Sequence, residues 1–555
     1  MIELRIDAGT LDLFPNTEIT IEEHSPAYLG ENVDVLQGEF SYPFTLPLTA
    51  HNRQLLGYPD RLDNGVALGR RLSAQLYLAG DLHIEGYLYV DEPSRDRVKV
   101  YIASNSLINI KDSELSSLTE RGYTLGANDS EVLDHMRIVS QAPLSYDYTF
   151  FPLYDYSLAD DETAGAEYSS IRFMNNWYTP SGEFTKDGPI VPFPRLEVVL
   201  EDVMEATQYS FQNNFQTNNQ LRRLCLVNNR DRIDEEGDIV YDMLLAEHLS
   251  DIKAGEFVRH LSRSFCLAPF LNRRERTITL QPLGVLIQAD TRLDWTAYAG
   301  REYSYNQGQA ALKRLAYPSA AYAESPGDFW KPDQAESPYT TDDPGSLTSS
   351  DPLGNYYDYS LGDIRKLGEA TTSSGTRFYS LFKARHFGAI DNENGSESNL
   401  PEMFPVFAGW GDVPGSSDRW MIPMWNTAIS REGDDVDIRL AFHWGNASTA
   451  DDDAYPFGSW NNYEYTRSKL ADADYSLGWE GPYGLYEVWW KQWDTMLQSG
   501  KLVTRNFLLP PREINRFSFD QKVRVHNKDY FVKRLRYQVT LRSISPVQVE
   551  MVTIS

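Results

Sequence analysis

Along the first hundred residues, apolar side chains return at every second position. Leu72, Ala74, Leu76 and Leu78 form one such run, Leu82, Ile84, Leu88 and Val90 a second, and Val98, Val100 and Ile102 a third. This alternation marks strands with one buried face. Turn-forming stretches at Ala79-Gly80-Asp81 and Glu92-Pro93-Ser94-Arg95-Asp96 separate the runs, so a β-meander within a barrel or sandwich is predicted over 1–105. The period changes after Pro194, where Leu196, Val199, Leu200 and Val203 fall at i, i+3, i+4 and i+7, with Glu197, Glu201 and Asp202 on other faces. That spacing predicts an amphipathic helix with proline near its start. Phe257, Leu261 and Phe265 predict a second helix running into a strand at Thr277-Ile278-Thr279-Leu280, giving a small α+β domain over 193–290.

The intervening segment 106–192 is Tyr-rich, as in Tyr146-Asp147-Tyr148, has little periodicity and reads as a loop-rich connector. Residues 291–445 are expected to form a β-rich domain with a long acidic loop at 318–375, where Pro, Gly, Ser, Asp and Tyr dominate. The last segment, 446–555, opens with aromatics and closes with strands. In it Phe517 and Phe519, Val523 and Val525, and Val547, Val549 and Met551 alternate, with His526-Asn527-Lys528-Asp529 as a hairpin turn. The fold class expected is mainly β with α+β insertions, multidomain, built on barrel or sandwich units.

Within 446–493 the aromatics are unusually dense. Tyr486, Trp490, Trp493 and Leu497 share one helical face. Such spacing favours a buried core or a subunit contact over a ligand platform. Tyr486, Trp489, Trp490 and Trp493 are therefore the candidate assembly contact.

Composition sharpens this picture. The chain has 555 residues, 41% hydrophobic and 24% charged, enough to bury several cores. Its 80 acidic residues against 51 Lys and Arg give a formal charge of −29, which disfavours sequence-independent DNA binding. Only 14 cations are Lys and 37 are Arg, a balance that suits either high salt or ordinary solubility. Acidic side chains lining a lumen would also keep passing nucleic acid from sticking. Cys225 and Cys266 are the only cysteines and are expected to be small core residues. No apolar stretch reaches membrane-span length, and Met1-Ile2-Glu3-Leu4-Arg5-Ile6 lacks a signal pattern, so no membrane anchor and synthesis in a cytoplasm are expected.

Catalytic and metal signatures were sought at each site the residues suggest. There is no G-x-S-x-G elbow, phosphate-binding P-loop or H-E-x-x-H motif. His248 and His260 lie twelve apart with no carboxylate at ligand spacing, and read as core or surface histidines. Asp391-Asn392-Glu393-Asn394-Gly395-Ser396 resembles a calcium loop, yet aligning Gly395 with the required glycine places Ile390 and Pro401 at ligand positions. Asp451-Asp452-Asp453 reads as a solvated acidic loop. A glycosidase would need two flanking carboxylates, for which Trp479, Trp489 and Trp490 could supply a sugar platform, but no acidic pair stands in apolar surroundings. No catalytic residue, metal site or cofactor is expected, and the chain is read as a non-enzyme.

Several blocks taken together resemble a known family. They are Gly38-Glu39-Phe40-Ser41-Tyr42-Pro43-Phe44-Thr45-Leu46-Pro47-Leu48 with Asn52-Arg53-Gln54-Leu55-Leu56-Gly57-Tyr58, Pro194 to Val203 with Tyr209-Ser210-Phe211, and His248 to Phe257 with Leu293-Asp294-Trp295-Thr296. Near the end come Gly484 to Trp493, Leu508 to Ile514 and Phe519 to Val525. Spread from about residue 35 to 540, these blocks are similar to structural tail proteins of phages and prophages of Bacteroidota-type bacteria. The resemblance implies a tail-tip or baseplate hub in the virion, commonly a homotrimer, assembled in the host cytoplasm. Its partners would be the tail tube or distal tail protein, the tape-measure protein and the central spike or fibre proteins, with no sequence-specific nucleic acid. The hub would hold the tail end closed and then open for genome ejection. A receptor-binding or peripheral tail-fibre protein is the alternative, ahead of a glycan-degrading tail enzyme and a surface adhesin.

Overall fold

The computed structural model describes residues 2–27, 40–61, 71–103, 110, 112–155, 158, 173–234, 237–272, 275–290, 292–307, 355–358, 363–372, 375–380, 406–412, 419–425, 429–431, 434–449, 452–460, 470, 473–477 and 483–554. The chain is mainly β with helical insertions. The alternating runs of the first hundred residues form the long strands Arg71–Leu78, Asp81–Pro93 and Arg97–Ala103, and Leu76, Ile84, Leu88, Val98, Val100 and Ile102 are fully buried. Ala79 and Gly80 turn the first hairpin with positive φ values of 57° and 97°, a conformation glycine takes without strain.

These strands do not close on themselves. Glu18–His24 lies along the C-terminal strand Lys528–Thr540, with seven paired residues from Glu18↔Thr540 to His24↔Arg534. Among the described residues this joins both ends of the chain into one 14-stranded sheet. It runs from Ile2–Ile6 through the N-terminal meander and Glu18–His24 to Lys528–Thr540, Val547–Thr553, Lys501–Phe507 and finally Ala299–Gln307. One core fills it, in which Leu4, Ile19, Leu46 and Leu76 from the first segment share a cluster with Trp295, Val523, Leu535 and Met551. The expected hairpin turn is present: Val525 pairs with Lys528, and His526 and Asn527 between them hold φ of 46° and 64°. Two central residues with positive φ are what a tight right-twisting hairpin demands.

A second, larger core lies between the sequence halves of this sheet. The expected helices are there as Leu196–Glu205 and Ala254–Phe265, and Thr277–Pro282 is a strand paired with Leu267–Asn272. The segment read as a loop-rich connector also contains a 13-residue helix, Asp129–Gln141. Asn128 caps it by accepting from the Glu131 N–H, and Val132, Met136 and Val139 turn inward. Leu224–Asn228 pairs with Ile438–Ser448, so residues from the expected β-rich segment pack directly on the α+β unit. The expected acidic loop 318–375 lies largely outside the described residues, which hold within it the strands Asn355–Asp358 and Asp363–Thr372. The Asp391–Ser396 loop and Trp479 lie outside them as well.

Candidate assembly surface

The aromatic segment enters through a wide turn, Tyr486–Trp490, and continues as the helix Lys491–Ser499. The wider turn rotates successive side chains away from α-helical spacing. Trp490 and Trp493 consequently point into the chain's own core, 2% and 1% exposed. The Trp490 indole Nε1 donates to the Arg263 carbonyl at 2.9 Å, near the end of the helix Ala254–Phe265. Trp493 packs on Phe531 with ring centroids 5.5 Å apart, pinning the second core to the C-terminal strand Lys528–Thr540. Of the candidate contact, these two indoles are thus enclosed by the chain's own residues.

Tyr486 and Trp489 remain half-buried. Trp489 stacks on Tyr475 at 5.7 Å with planes 21° apart, and meets Phe215 and Phe265 edge-on. The Tyr486 hydroxyl donates to Asp494 Oδ2 at 2.9 Å, which also accepts from Gln498 Nε2 at 2.7 Å. Of the four candidate residues, these two keep solvent-facing surface, alongside the exposed Glu487 and Val488.

Elsewhere the titratable groups serve the fold. Burial, with Arg259 and Arg263 nearby, pushes the His260 imidazole down to about 3; burial with Arg223 and Arg195 does the same for His443, and His248 is driven well below its usual value. All three stay neutral. Burial raises the thiols of Cys225 and Cys266, which are free and enclosed. Asp231 is pushed up to about 6 by burial, although it accepts from the Ile190 and Ile233 N–H groups at 2.9 and 3.0 Å. Among the described residues no cluster of His, Cys, Asp or Glu is placed to hold a metal ion.

Sequence reasoning missed the junction of the two chain ends. Glu22, in the strand Glu18–His24, is buried and accepts from Arg534 at 3.1 Å and from the Tyr42 hydroxyl at 2.9 Å, while Arg534 also pairs with Glu550. Burial raises the Glu22 carboxyl, but Tyr42 and Arg534 outweigh it and hold it below the ordinary carboxylate value. Glu23 beside it accepts from the Tyr537 hydroxyl at 2.5 Å, and Tyr537 in turn meets His83. Glu22 and Glu23 stand side by side in Thr20-Ile21-Glu22-Glu23-His24, and only the long-range pairing shows why both are enclosed.

No protein-family profile matches the chain, and no curated protein does. Solved structures similar to it include the 43 kDa tail protein of prophage MuSo2 from Shewanella oneidensis, at 7% identity and a TM-score of 0.31, covering 100% of this chain and 98% of that one. A prophage tail protein from Listeria monocytogenes aligns at 7% identity and a TM-score of 0.32, covering 99% and 94%. A tail protein from Neisseria meningitidis aligns at 8% and 0.30, covering 100% and 96%. The structural neighbours are thus prophage tail proteins, superposing too loosely to carry an argument about this chain.

Proposed function

We infer that this chain is a structural, non-enzymatic part of a phage virion, placed at the tail tip or baseplate as a hub between the tail tube and the central spike. The observation carrying this reading is where the family-like sequence blocks fall in the fold. Asn52 is fully buried, its amide bonding Pro47 and Asp12 carbonyls, and braces the first block against the sheet. Trp295 is enclosed between Phe507 and Phe517, and Leu196, Val199, Leu200 and Val203 all lie in the second core. Trp490, Ile514 and Val523 from the last blocks are buried too. The blocks hold frame residues, as expected where the shared property is a shape that must assemble and bear load.

In this reading the hub forms a ring around the tail axis, with three copies as the expected number, and contacts the tube or distal tail protein, the tape-measure protein and the spike. It holds the tail closed until host contact and then lets DNA pass, its acidic surface repelling the phosphates. Cryo-electron microscopy of the particle containing this chain tests the proposal. Three copies on the axis below the tube support it; peripheral copies pointing outward would replace it with a receptor-binding role.

A further inference from the structure

The sheet that joins the two chain ends stops at Ala299–Gln307, which among the described residues pairs on one side only, with Lys501–Phe507. A bulge follows Ala299, where Gly300 lies so close to Asn506 that an added Cβ would meet its carbonyl oxygen at 2.8 Å. From Tyr303 onward the register is uninterrupted. Residues 301–306 are all exposed. Natural sheets cover, shorten or charge such an edge, because its outward N–H and C=O groups otherwise invite another strand.

The side chains on this edge add a second observation. Tyr303 pairs with Arg505 and Tyr305 with Val503, which put both tyrosines on the face that, one strand further in, carries the fully buried Val549 and Met551. Tyr303 is nevertheless 60% and Tyr305 56% exposed, and Leu508, next to this strand, is 69% exposed. A buried face thus runs past the last side chains that cover it. Arg505 lies over the Tyr303 ring at 5.4 Å and Lys501 over the Tyr305 ring at 5.2 Å. Arg505 and Lys501, opposite Tyr303 and Gln307, thus place two cations on this face in a chain of net charge −29.

We propose that this edge accepts an added β-strand from another polypeptide, an extended acidic segment whose carboxylates face Lys501 and Arg505. Main-chain pairing along Tyr303–Asn306 supplies affinity, and the tyrosine rings supply apolar contact on the same face. An alternate strand lies about 10 Å away, a span that a Glu side chain and a Lys501 ammonium leaning over Tyr305 close between them. Charge selects the occupant: an added strand bearing Lys or Arg on this face would set cations against Lys501 and Arg505. This inference rests on the edge alone and stands or falls separately from the virion role.

The test uses the full chain with two fluorescent peptides, one of alternating Thr and Glu and one of alternating Thr and Lys, followed by anisotropy and by hydrogen exchange. The acidic peptide is expected to bind, to slow exchange at the outward-facing amides of 303–306, and to weaken ~10-fold in Tyr305→Ala and in Lys501→Glu. The Lys501 side chain is exposed, so its variant keeps the fold, and circular dichroism checks both variants. Equal binding of the two peptides, binding of neither, or binding unchanged in both variants overturns the proposal. So does slow exchange at the outward-facing amides of 303–306 in the free monomer, or dimerisation through this strand lost in Tyr305→Ala.

Discussion

Replacing Trp490 separates a core role from an assembly role. The indole is 2% exposed and donates to a carbonyl in the last turn of a neighbouring helix. Truncation to alanine leaves a void that costs about 3–5 kcal/mol. Losing the bond to Arg263 adds ~1 kcal/mol. Against a total stability of about 5–15 kcal/mol, that loss brings the second core to the edge of unfolding. Trp490→Phe keeps most of the ring and loses the donor, so a loss of about 1–2 kcal/mol is expected. Guanidinium denaturation of the purified full chain, followed by circular dichroism, reads both variants, with size exclusion reporting the folded fraction. If Trp490→Ala unfolds like the parent chain yet fails to enter particles, the packing argument is wrong and the indole is an assembly contact after all.

Three further outcomes are expected. Asp231 keeps its proton up to about 6 when folded but releases it near 3.8 when unfolded, so its contribution to stability is whole below 3.8 and falls as pH rises towards 6. Asp231→Asn keeps the acceptor for the Ile190 and Ile233 N–H groups and should remove that fall; an unchanged pH profile of denaturation midpoints would refute it. Gly458→Ala would drive a methyl group into the buried Phe151 ring and cost about 1–3 kcal/mol, with wild-type thermal stability as the contrary result. Ellman's reagent should titrate neither cysteine in the native chain and both after denaturation; rapid native reaction would contradict the enclosure of Cys225 and Cys266.

Local order was legible in the sequence wherever one physical demand dominated. Parity located the strands around Leu76, Ile84 and Val100, and 3.6-residue spacing located the helices around Val199 and Leu261, since each had one face to bury. The helix Asp129–Gln141 carried a cap at Asn128 and buried Val132, Met136 and Val139, but its exposed Ile138 and flanking tyrosines blurred the period. Wide-turn geometry at Tyr486–Trp490 was not legible, and the Arg263 carbonyl that Trp490 meets lies 227 positions away in sequence. The pairing of Glu18–His24 with Lys528–Thr540 was equally hidden. Nothing local in Glu22 or Arg534 announces the other, and the exposed tyrosines of Ala299–Gln307 are informative only once that strand is known to end a sheet.

The junction of the two chain ends also sets a timetable. Glu18–His24 leaves the ribosome about 500 residues ahead of its partner Lys528–Thr540. At ordinary elongation rates the wait is about 25–100 s. Throughout it the N-terminal meander presents an unpaired strand on one side, so each nascent chain in a crowded polysome is a potential pairing partner for its neighbours. Buried charge at Glu22 works against that error: a stranger's strand lacking arginines at the places of Arg534 and Arg536 would leave the carboxylate without the two cations that offset its burial.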